Sequence, residues 1–221
     1  MRDRLLEIYD RMLAAFGPQY WWPGDTPFEV AVGAVLTQNT SWRNVERAID
    51  NLKGAGRLAL APMLALAHDE LAALIRPAGY FNVKARRLRN LLVHLHEVGG
   101  GDLEGYLAGD LAIRRRELLG VNGLGPETVD SILLYAGNRP TFVCDAYTRR
   151  LLSRHGLCRP AAGYEEMRAL FMDHLPADVA LYNELHALIV RTGYHHCKPT
   201  PRCEGCPLAS LLPVWGAKPA V

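Results

Sequence analysis

Apolar residues recur along most of this chain with the three- and four-residue spacing of an amphipathic helix. The first such stripe, in residues 2–16, consists of Leu5, Ile8, Tyr9, Met12, Leu13 and Phe16. Because side chains three or four positions apart share one helix face, we expect a helix with that face buried. Similar spacing predicts further helices over residues 27–37, 42–53, 62–76, 82–98, 110–119, 126–136, 146–155, 163–174 and 178–193. The β-like stretch 141–143 is too short to support a sheet, so the pattern predicts an all-α fold.

Several residues mark where these helices begin and end. Pro27 suits the first position of the second helix, because proline lacks the N–H that this position leaves unbonded. Ser41 is a candidate N-cap for the helix 42–53, and Asn82 for the helix 82–98. The glycines of residues 99–101 end the helix that Asn82 would begin.

The overall composition bounds the class of protein. With 221 residues, 49% of them hydrophobic, the chain can build one large domain or two small ones. No apolar run reaches 18 residues, and the charged N-terminus lacks the features of a signal peptide. We therefore expect a cytoplasmic protein with no membrane partner.

Charge and cysteine content suggest two kinds of ligand. The net charge is only +2, yet 21 of the 25 basic residues are arginines, which suit bidentate phosphate contacts. They cluster at 86–89, 114–116 and 149–154, which indicates either a nucleic-acid surface or solvated helix faces. Of the five cysteines, Cys197, Cys203 and Cys206 lie within ten residues, a spacing that favours a metal over disulfides.

The stretch 119-LGVNGLGPETVDSILLYAG-137 predicts two helices joined by a tight turn. Gly123 and Gly125 permit positive φ and the close approach of another backbone, and Pro126 suits the first helical position. The amides around the glycines would then point outward at a helix N-terminus, where anions bind. An ordinary corner between two helices is the alternative that this stretch alone leaves open.

Together with its surroundings, this turn resembles the helix-hairpin-helix DNA glycosylases of the endonuclease III superfamily. The resemblance rests on VNGLGPETV at the turn, 142-FVCDAYTRRLL-152 about twenty residues later, 27-PFEVAVGAVLTQNTSW-42, 79-GYFNVKARRL-88 and the C-terminal cysteines. It implies a two-lobed all-α fold. Residues 22–138 would form a six-helix domain that contains the hairpin, and residues 1–21 with 139–221 a second domain that carries an iron–sulfur cysteine loop.

Two acids carry the chemistry that the resemblance implies. Asp145 falls at the family's catalytic aspartate, where a carboxylate stabilises oxocarbenium character at the sugar and activates water. From its sequence context alone it is a helix N-cap.

The second acid is Glu127. Members that also cut the strand have a lysine four residues after the hairpin's first glycine, and that position is Glu127 here. A carboxylate cannot form the Schiff base, so the resemblance implies a monofunctional glycosylase. Glu127 itself is either an ordinary first-turn acid or a residue that positions water or the lesion.

Tryptophans flank the second helix. Trp21 and Trp22 precede it and Trp42 follows it, a layout similar to the 3-methyladenine glycosylases of endonuclease III type, in which aromatic side chains sandwich the alkylated base. Such rings stack well on an electron-poor, cationic base pulled from the duplex. Packing in the core is the alternative for each of them.

The resemblance also implies DNA contacts. Gln38 and Asn39 would enter the gap left by the extruded base, and Tyr80 and Asn82 are weaker candidates near the phosphates. The residues expected at the phosphates, with a possible monovalent cation at the hairpin, are Lys84, Gly123, Leu124, Gly125 and Thr128.

The cysteine loop departs from the family pattern. Its spacing is C-x5-C-x2-C, one residue shorter in the first gap than the usual iron–sulfur motif, and Leu212 occupies the fourth position. Three thiolates still favour a [4Fe-4S] cluster, with zinc (using His195 or His196) or no metal as alternatives. A neighbouring histidine, Cys144, Cys158 or an exogenous group could be the fourth ligand.

The resulting hypothesis is a monofunctional base excision glycosylase that acts as a monomer on double-stranded DNA containing a damaged base, with an alkylated purine such as 3-methyladenine favoured. Removal of oxidised pyrimidines or of mismatched uracil or thymine is one alternative. A catalytically weak DNA-binding module of the same fold is another.

Overall fold

The computed structural model describes residues 1–21, 24–214 and 216. Regular structure in these residues is helical throughout, with no β-strand, which confirms the all-α prediction. None of the described helices is both long and apolar enough to cross a membrane. The helices are α1 (Arg2–Phe16), α2 (Pro27–Leu36), α3 (Trp42–Gly54), α4 (Leu60–Leu64), α5 (His68–Leu74), α6 (Phe81–Glu97), α7 (Leu103–Leu107), α8 (Leu111–Leu119), α9 (Pro126–Ser131), α10 (Ala146–Arg154), α11 (Tyr164–Met172) and α12 (Val179–His195).

The chain divides into two compact units. One takes Met1–Trp21 together with the chain from Pro140 onward, and the other takes Trp22–Arg139. We call the first the terminal unit and the second the hairpin unit. The terminal unit contains α1 and α10–α12, and the hairpin unit contains α2–α9.

Helix α2 is the centre of the hairpin unit. Every residue from Glu29 to Leu36 is buried, because α2 packs against α3, α6, α9 and the segment that follows α9. A helix that is apolar on all sides is expected where neighbours surround it. Thr26 caps the start of α2 by accepting from Glu29 N at 3.1 Å, and Pro27 occupies the first helical position, as predicted.

Some helix boundaries differ from those that the spacing predicts. The expected helix 62–76 is two short helices, α4 and α5, because the Glu70 carboxylate accepts from Ala67 N at 2.7 Å and begins a new helix there. Asn82 is not an N-cap; α6 begins at Phe81, and Tyr80 precedes it with left-handed backbone (φ 45°). The short helix α7 was not predicted, since five residues are too few to show a helical period.

Helices α8 and α9 flank the predicted hairpin turn. A two-bond ion pair joins them: Arg115 donates from Nε and Nη2 to the two carboxylate oxygens of Asp130, both at 2.9 Å. Asp130 is fully buried, so the pair fixes the angle between the helices. The predicted helix 126–136 is α-helical only to Ser131 and continues as a π-helical segment over Ile132–Ala136.

In the terminal unit, α12 packs against α10 and α1. The approach of α10 is close at Gly193, where a Cβ would overlap the ring of Tyr147. The core is aromatic on one side, with Phe142 stacked on Phe171 at 3.8 Å between ring centroids. Phe142 lies just before α10, so this packing fixes the segment that leads to Asp145.

Candidate active site

Asp145 is the N-cap of α10. Its Oδ1 accepts from the backbone N of Thr148 at 2.8 Å and from Thr148 Oγ1 at 3.0 Å, and its own N donates to Thr148 Oγ1 at 3.3 Å. The side chain is 16% exposed. The positive end of the helix dipole faces this carboxylate. The cap therefore commits Oδ1 to the fold and leaves Oδ2 as the oxygen available for chemistry.

His186 on α12 lies beside that second oxygen. Its Nε2 is 3.9 Å from Asp145 Oδ2, and the ring is buried edge-on to Phe142. Burial lowers the pKa of His186, and the negative charge of Asp145 opposes that shift. A neutral imidazole next to a carboxylate can donate one N–H to it without adding a charge. No local feature of the sequence singles out His186, because a lone histidine on an apolar helix face is usually a packing residue.

The two hairpin glycines have different roles. Gly123 has φ 95°, and an added Cβ would overlap the side chain of Arg87, so both conformation and space require glycine there. Gly125 has φ −86° and caps α9, and a Cβ there would meet no described atom within 4 Å. Of the two glycines that permit positive φ, only Gly123 adopts it, and the missing side chain of Gly125 leaves space above the helix N-terminus.

Gln38 is bonded to the hairpin. Its Nε2 donates to Gly123 O at 3.2 Å and to Thr128 Oγ1 at 2.9 Å, while its Oε1 accepts from Arg87. Asn39, the next residue, is exposed and has left-handed backbone (φ 54°). Of the two residues predicted to enter the DNA, Asn39 is thus the one presented to solvent. Gln38 ties the segment that carries Asn39 to the hairpin.

Three residues expected at the phosphates lie inside the hairpin unit. Lys84 is 1% exposed and donates to Leu36 O at 2.9 Å and Ala78 O at 2.7 Å. Its ammonium group is therefore not available to DNA, contrary to our expectation. Burial, with a smaller contribution from Arg87, lowers the pKa of Lys84 to about 8. Leu124 and Thr128 are also buried. The exposed part of the hairpin is therefore backbone around Asn122 and Gly125.

The hairpin carbonyls that could bind a cation already accept hydrogen bonds. Leu124 N donates to Val121 O at 3.1 Å, and the Asn90 side chain donates to Asn122 O at 2.9 Å. Gly123 O accepts from Gln38, as described above. Each carbonyl keeps a second lone pair, so the predicted monovalent cation stays a prediction.

The tryptophans have different surroundings. Trp42 begins α3, packs partly buried against the core of the hairpin unit, and donates from Nε1 to Glu46 Oε1 at 2.8 Å. Trp21 is partly buried and belongs to the terminal unit. Trp22 lies outside the described residues. Their role in a base pocket stays a prediction.

Most of the clustered arginines bond within the protein. Arg89 donates to Leu66 O, Arg149 to Ala162 O and Arg150 to Cys197 O. Arg86 and Arg116 are exposed members of the clusters. Much of the arginine content thus serves to tie loops to helices, and the number of arginines overstates the charge available to a polyanion.

The three clustered cysteines line one cavity. Cys197, Cys203 and Cys206 surround about 330 Å³ of space not filled by protein atoms, part of it open to solvent, together with Arg154, Thr192, His196 and Leu212. Burial raises the pKa of Cys206, and the neighbouring Cys203 and Cys197 raise it further. In the described part of the chain no three ligand-type side chains meet closely enough to form a complete metal site.

A buried arginine supports this cysteine loop. Arg154, 4% exposed, donates to Cys197 Sγ at 3.1 Å and to the carbonyls of Lys198 and Pro199, both at 2.7 Å. Thiolate sulfur is the ligand that iron–sulfur clusters and structural zinc take in proteins. The donor set therefore fits a thiolate-bound metal or cluster, with Leu212 and not a fourth cysteine at the same cavity.

Glu127 lies exposed in the first turn of α9. Its backbone carbonyl accepts from Ser131 Oγ at 2.7 Å. The sequence predicted this placement, which is favourable for an acid because the helix N-terminus carries partial positive charge.

Comparison with known proteins identifies the family. Residues 32–177 match the model of the HhH-GPD superfamily of base excision DNA repair proteins. A protein of Methanocaldococcus jannaschii, described provisionally as a DNA repair glycosylase, is 46% identical over 93% of this chain and 94% of its own length. An endonuclease III trapped covalently on DNA has the same fold, with a TM-score of 0.82 and 24% identity over 96% of this chain and 95% of that one. The Helicobacter pylori 3-methyladenine DNA glycosylase bound to 1,N6-ethenoadenine has a TM-score of 0.70 and 27% identity, and the match covers 87% of this chain and 96% of that one. The chain therefore belongs to the HhH-GPD superfamily of base excision DNA repair glycosylases, among its endonuclease III-like members.

Proposed function

We propose that this protein is a monofunctional DNA glycosylase that hydrolyses the N-glycosidic bond of an alkylated purine, with 3-methyladenine as the favoured substrate. The observation that carries the proposal is the state of Asp145. One carboxylate oxygen is fixed by the helix cap, and the other lies beside a buried histidine. A carboxylate held in this way is preorganised for the charge that develops during glycosidic cleavage.

In this mechanism Asp145 acts on the sugar and not on the base. As the bond to the base lengthens, positive charge builds at the anomeric carbon and the ring oxygen, and a carboxylate nearby stabilises it. Asp145 Oδ2 also accepts a proton from the attacking water, which adds to the same carbon. The products are the free base and an abasic site, with the strand uncut.

The absence of lyase chemistry rests on Glu127. An imine with the sugar needs an amine, and a carboxylate cannot supply one. Lys84, the one lysine of α6, is buried and bonded to two carbonyls, and Lys53 pairs with Asp25 and Glu29 at the end of α3. Both ammonium groups are engaged in these bonds, so neither is offered to the sugar as a substitute.

The choice of an alkylated purine is supported by its chemistry and by one relative. Alkylation at N3 or N7 puts positive charge on the base and weakens its bond to the sugar, so less catalysis of base departure is needed. The Helicobacter pylori 3-methyladenine glycosylase is similar over most of this chain. We propose that Trp21, Trp22 and Trp42 supply the aromatic surfaces on which the cationic base stacks.

The proposed DNA contacts come from the hairpin unit. The backbone at Gly123 and Gly125 would bind phosphate, and Asn39 would enter the duplex. Tyr80, 73% exposed on left-handed backbone, is an aromatic side chain suited to stacking on bases. We further propose that the enzyme works as a cytoplasmic monomer.

We propose a [4Fe-4S] cluster at the cysteine cavity, with Cys197, Cys203 and Cys206 as ligands. Such a cluster would supply cross-links that order the loop 197–206, and no redox step is needed for hydrolysis. The thiols and the guanidinium of Arg154 around one cavity support this assignment. Zinc remains the alternative for three thiols and one imidazole, since His196 lines the same cavity.

The test is single-turnover excision on duplexes that each carry one lesion: 3-methyladenine (or its stable 3-deaza analogue as a binding control), thymine glycol, uracil or a thymine mismatch. We expect strand breaks at the alkylated site only after hot alkali, which cuts abasic sites. Breaks without alkali, or a covalent complex trapped by borohydride, would contradict monofunctional hydrolysis.

The same experiment addresses the alternatives. Excision of thymine glycol or mismatched thymine in preference to the alkylated base would move the substrate to that class, which the similarity to endonuclease III enzymes makes the second candidate. Binding without excision on every duplex would indicate a DNA-binding module.

A further inference from the structure

The buried ammonium of Lys84 joins two loops of the hairpin unit. Leu36, one of its acceptors, is the last residue of α2, and Ala78, the other, ends the short 3₁₀ turn Arg76–Ala78. Carbonyls at the ends of helices lack partners within the helix. A single side chain that reaches both therefore fixes the distance between the two helix ends.

Each of these helix ends is followed by an exposed residue in an unfavourable backbone conformation. Asn39 comes three residues after Leu36, with φ 54°, and Tyr80 comes two residues after Ala78, with φ 45°. Side chains other than glycine seldom adopt positive φ, and a tyrosine does so less readily than an asparagine. Such conformations persist where the surrounding structure holds them.

Arg87 continues the connection along the same helix. It lies three residues after Lys84 on α6, donates to Gln38 Oε1 and packs its side chain over Gly123. Gln38 in turn donates to Gly123 O and Thr128 Oγ1. One face of α6 thus contacts three segments: the loop 37–41, the turn 79–80 and the hairpin turn 121–125.

We propose that Lys84 and Arg87 are positioning residues that hold these three segments in one fixed arrangement, so that DNA meets a preformed surface. The inference rests on the proposed function, because the segments matter for excision only if the protein engages a damaged duplex. Holding Asn39 and Tyr80 in place before binding removes the entropy cost of ordering them on the DNA.

The charge of Lys84 supports this role over simple filling of the core. Removing an ammonium group from water is unfavourable unless hydrogen bonds replace the lost hydration. A methionine would fill the same space without that penalty, but it could not hold two carbonyls. The lysine therefore adds what an apolar side chain cannot, which is a defined separation between two loops.

Lys84→Met tests the proposal, with Leu95→Ala as its matched control. Leu95 is fully buried on the same helix and contacts none of the three segments through a hydrogen bond. Amide hydrogen exchange is measured on the full-length protein without DNA, at a temperature equally far below each variant's melting point. We expect exchange to rise by about tenfold in both 37–41 and 79–81 in Lys84→Met, and to stay within about twofold of wild type in Leu95→Ala.

Arg87→Met serves as a second variant, because Arg87 is only half-buried and its loss should not prevent folding. Faster exchange is then expected in 37–41 and 121–125 and not in 79–81. The proposal would be overturned by equal amide exchange rates in wild type and both variants. It would also be overturned if Lys84→Met and Leu95→Ala lost protection against exchange to the same extent in these segments. If Lys84→Met does not fold, the Arg87→Met pattern decides.

A second measurement uses DNA. The duplex carries an abasic-site analogue beside 2-aminopurine, whose fluorescence rises when the protein turns the abasic sugar out of the helix and unstacks its neighbour. This measurement needs no excision activity. We expect this extrusion of the abasic sugar to be about tenfold slower in Lys84→Met, with affinity for undamaged duplex within about threefold of wild type. Unchanged extrusion in Lys84→Met overturns the positioning role. A wild type that extrudes normally but excises no lesion refutes the proposed function and leaves the positioning result standing.

Discussion

His186 Nε2 lies 3.9 Å from Asp145 Oδ2, on the side of the carboxylate that the helix cap does not use. Both residues belong to the terminal unit, and the histidine is buried on α12. Asp145 is the charged group that acts on the imidazole. Charged side chains of neighbouring elements bond other groups: Arg150 of α10 bonds Cys197 O, Arg168 of α11 bonds Thr141 Oγ1, and Glu184 accepts from Gln19 N. The imidazole is therefore the polar group of α12 that lies beside the free oxygen of this carboxylate.

Replacing His186 should slow excision. The imidazole lies beside the carboxylate oxygen that the helix cap leaves free, and a phenylalanine presents no polar edge there. In His186→Phe we expect single-turnover excision to fall by about tenfold across the pH–rate profile. His186→Gln keeps an N–H near the position of Nε2 and should stay close to wild type.

The control for this experiment is Tyr182→Phe, which removes one polar atom from a buried residue one turn earlier on the same helix. Its profile should keep the wild-type shape. If the Phe and Gln variants of His186 lost activity equally at all pH values, the histidine would be a packing residue only.

Asp145→Asn should separate chemistry from folding. Asparagine is as good an N-cap as aspartate, so the free energy of unfolding should change by less than about 0.5 kcal/mol. Excision should fall by about 10²- to 10⁴-fold, because the amide carries no charge and accepts no proton from water. Binding to a duplex with an abasic-site analogue should be retained.

Asp145→Ala is the matched variant. It loses the cap as well, so urea unfolding should report a further loss of about 1 kcal/mol, with activity as low as in the asparagine variant. An asparagine variant that excised normally would remove Asp145 from the mechanism.

The two hairpin glycines should respond differently to alanine. Gly123→Ala places a Cβ on φ 95° backbone and against Arg87, so we expect a loss of about 1–3 kcal/mol in unfolding free energy. Gly125→Ala should be within about 0.5 kcal/mol of wild type, because nothing described lies near its Cβ. Affinity for DNA should nevertheless fall in Gly125→Ala if a phosphate occupies that space. Unchanged affinity there, measured by fluorescence anisotropy, would place the phosphate elsewhere.

The cysteine cavity predicts a metal-dependent stability. Protein purified without oxygen should absorb near 400 nm and contain iron, and Cys203→Ala should lose both and melt at a lower temperature. Cys158→Ala is the control, since Cys158 does not line the cavity. Zinc in place of iron, found by elemental analysis, would assign the alternative. Equal melting temperatures for wild type and Cys203→Ala would argue against any structural metal.

The lowered pKa of Lys84 predicts how the free energy of unfolding changes in alkali. Its pKa falls to about 8 in the folded protein from an ordinary value of 10.5, so the unfolded chain binds more protons between these limits. Stability should therefore rise with pH from about 8 to 10.5, by up to about 3 kcal/mol in the difference between wild type and Lys84→Met. Lys53→Met is the control, because ion pairs with Asp25 and Glu29 raise the pKa of Lys53 out of that window. A flat difference for Lys84→Met would mean that Lys84 is not held in a desolvated state.

Local patterns were sufficient for much of the fold. The helical spacing predicted α1, α3 and α8 within a residue or two, and Pro27 and Asp145 mark helix starts that depend only on neighbouring residues. The break between α4 and α5 depends on one side chain bonding backward, and the period of the apolar residues does not reveal it.

The parts of the site that the sequence missed depend on distant residues. His186 lies 41 positions from Asp145, and Gln38 lies 85 from Gly123. The family resemblance implied a phosphate contact for Lys84, but the side chain is buried against two carbonyls contributed by other segments. Such contacts form only when the chain folds, so no local pattern encodes them.

The π-helical segment Ile132–Ala136 limits how the chain can change in length near the hairpin. A π turn holds one residue more than an α turn, and each α-helical residue advances the chain by about 100° and 1.5 Å. Deleting one residue here would restore a regular helix but rotate its end, which would break the bonds from Gly137 N to Ile132 O and from Arg139 N to Leu133 O. Loss of a residue from the glycine loop 99–101 would disturb no helix register. Insertions and deletions during evolution should therefore accumulate in that loop and be excluded from the π-helical segment.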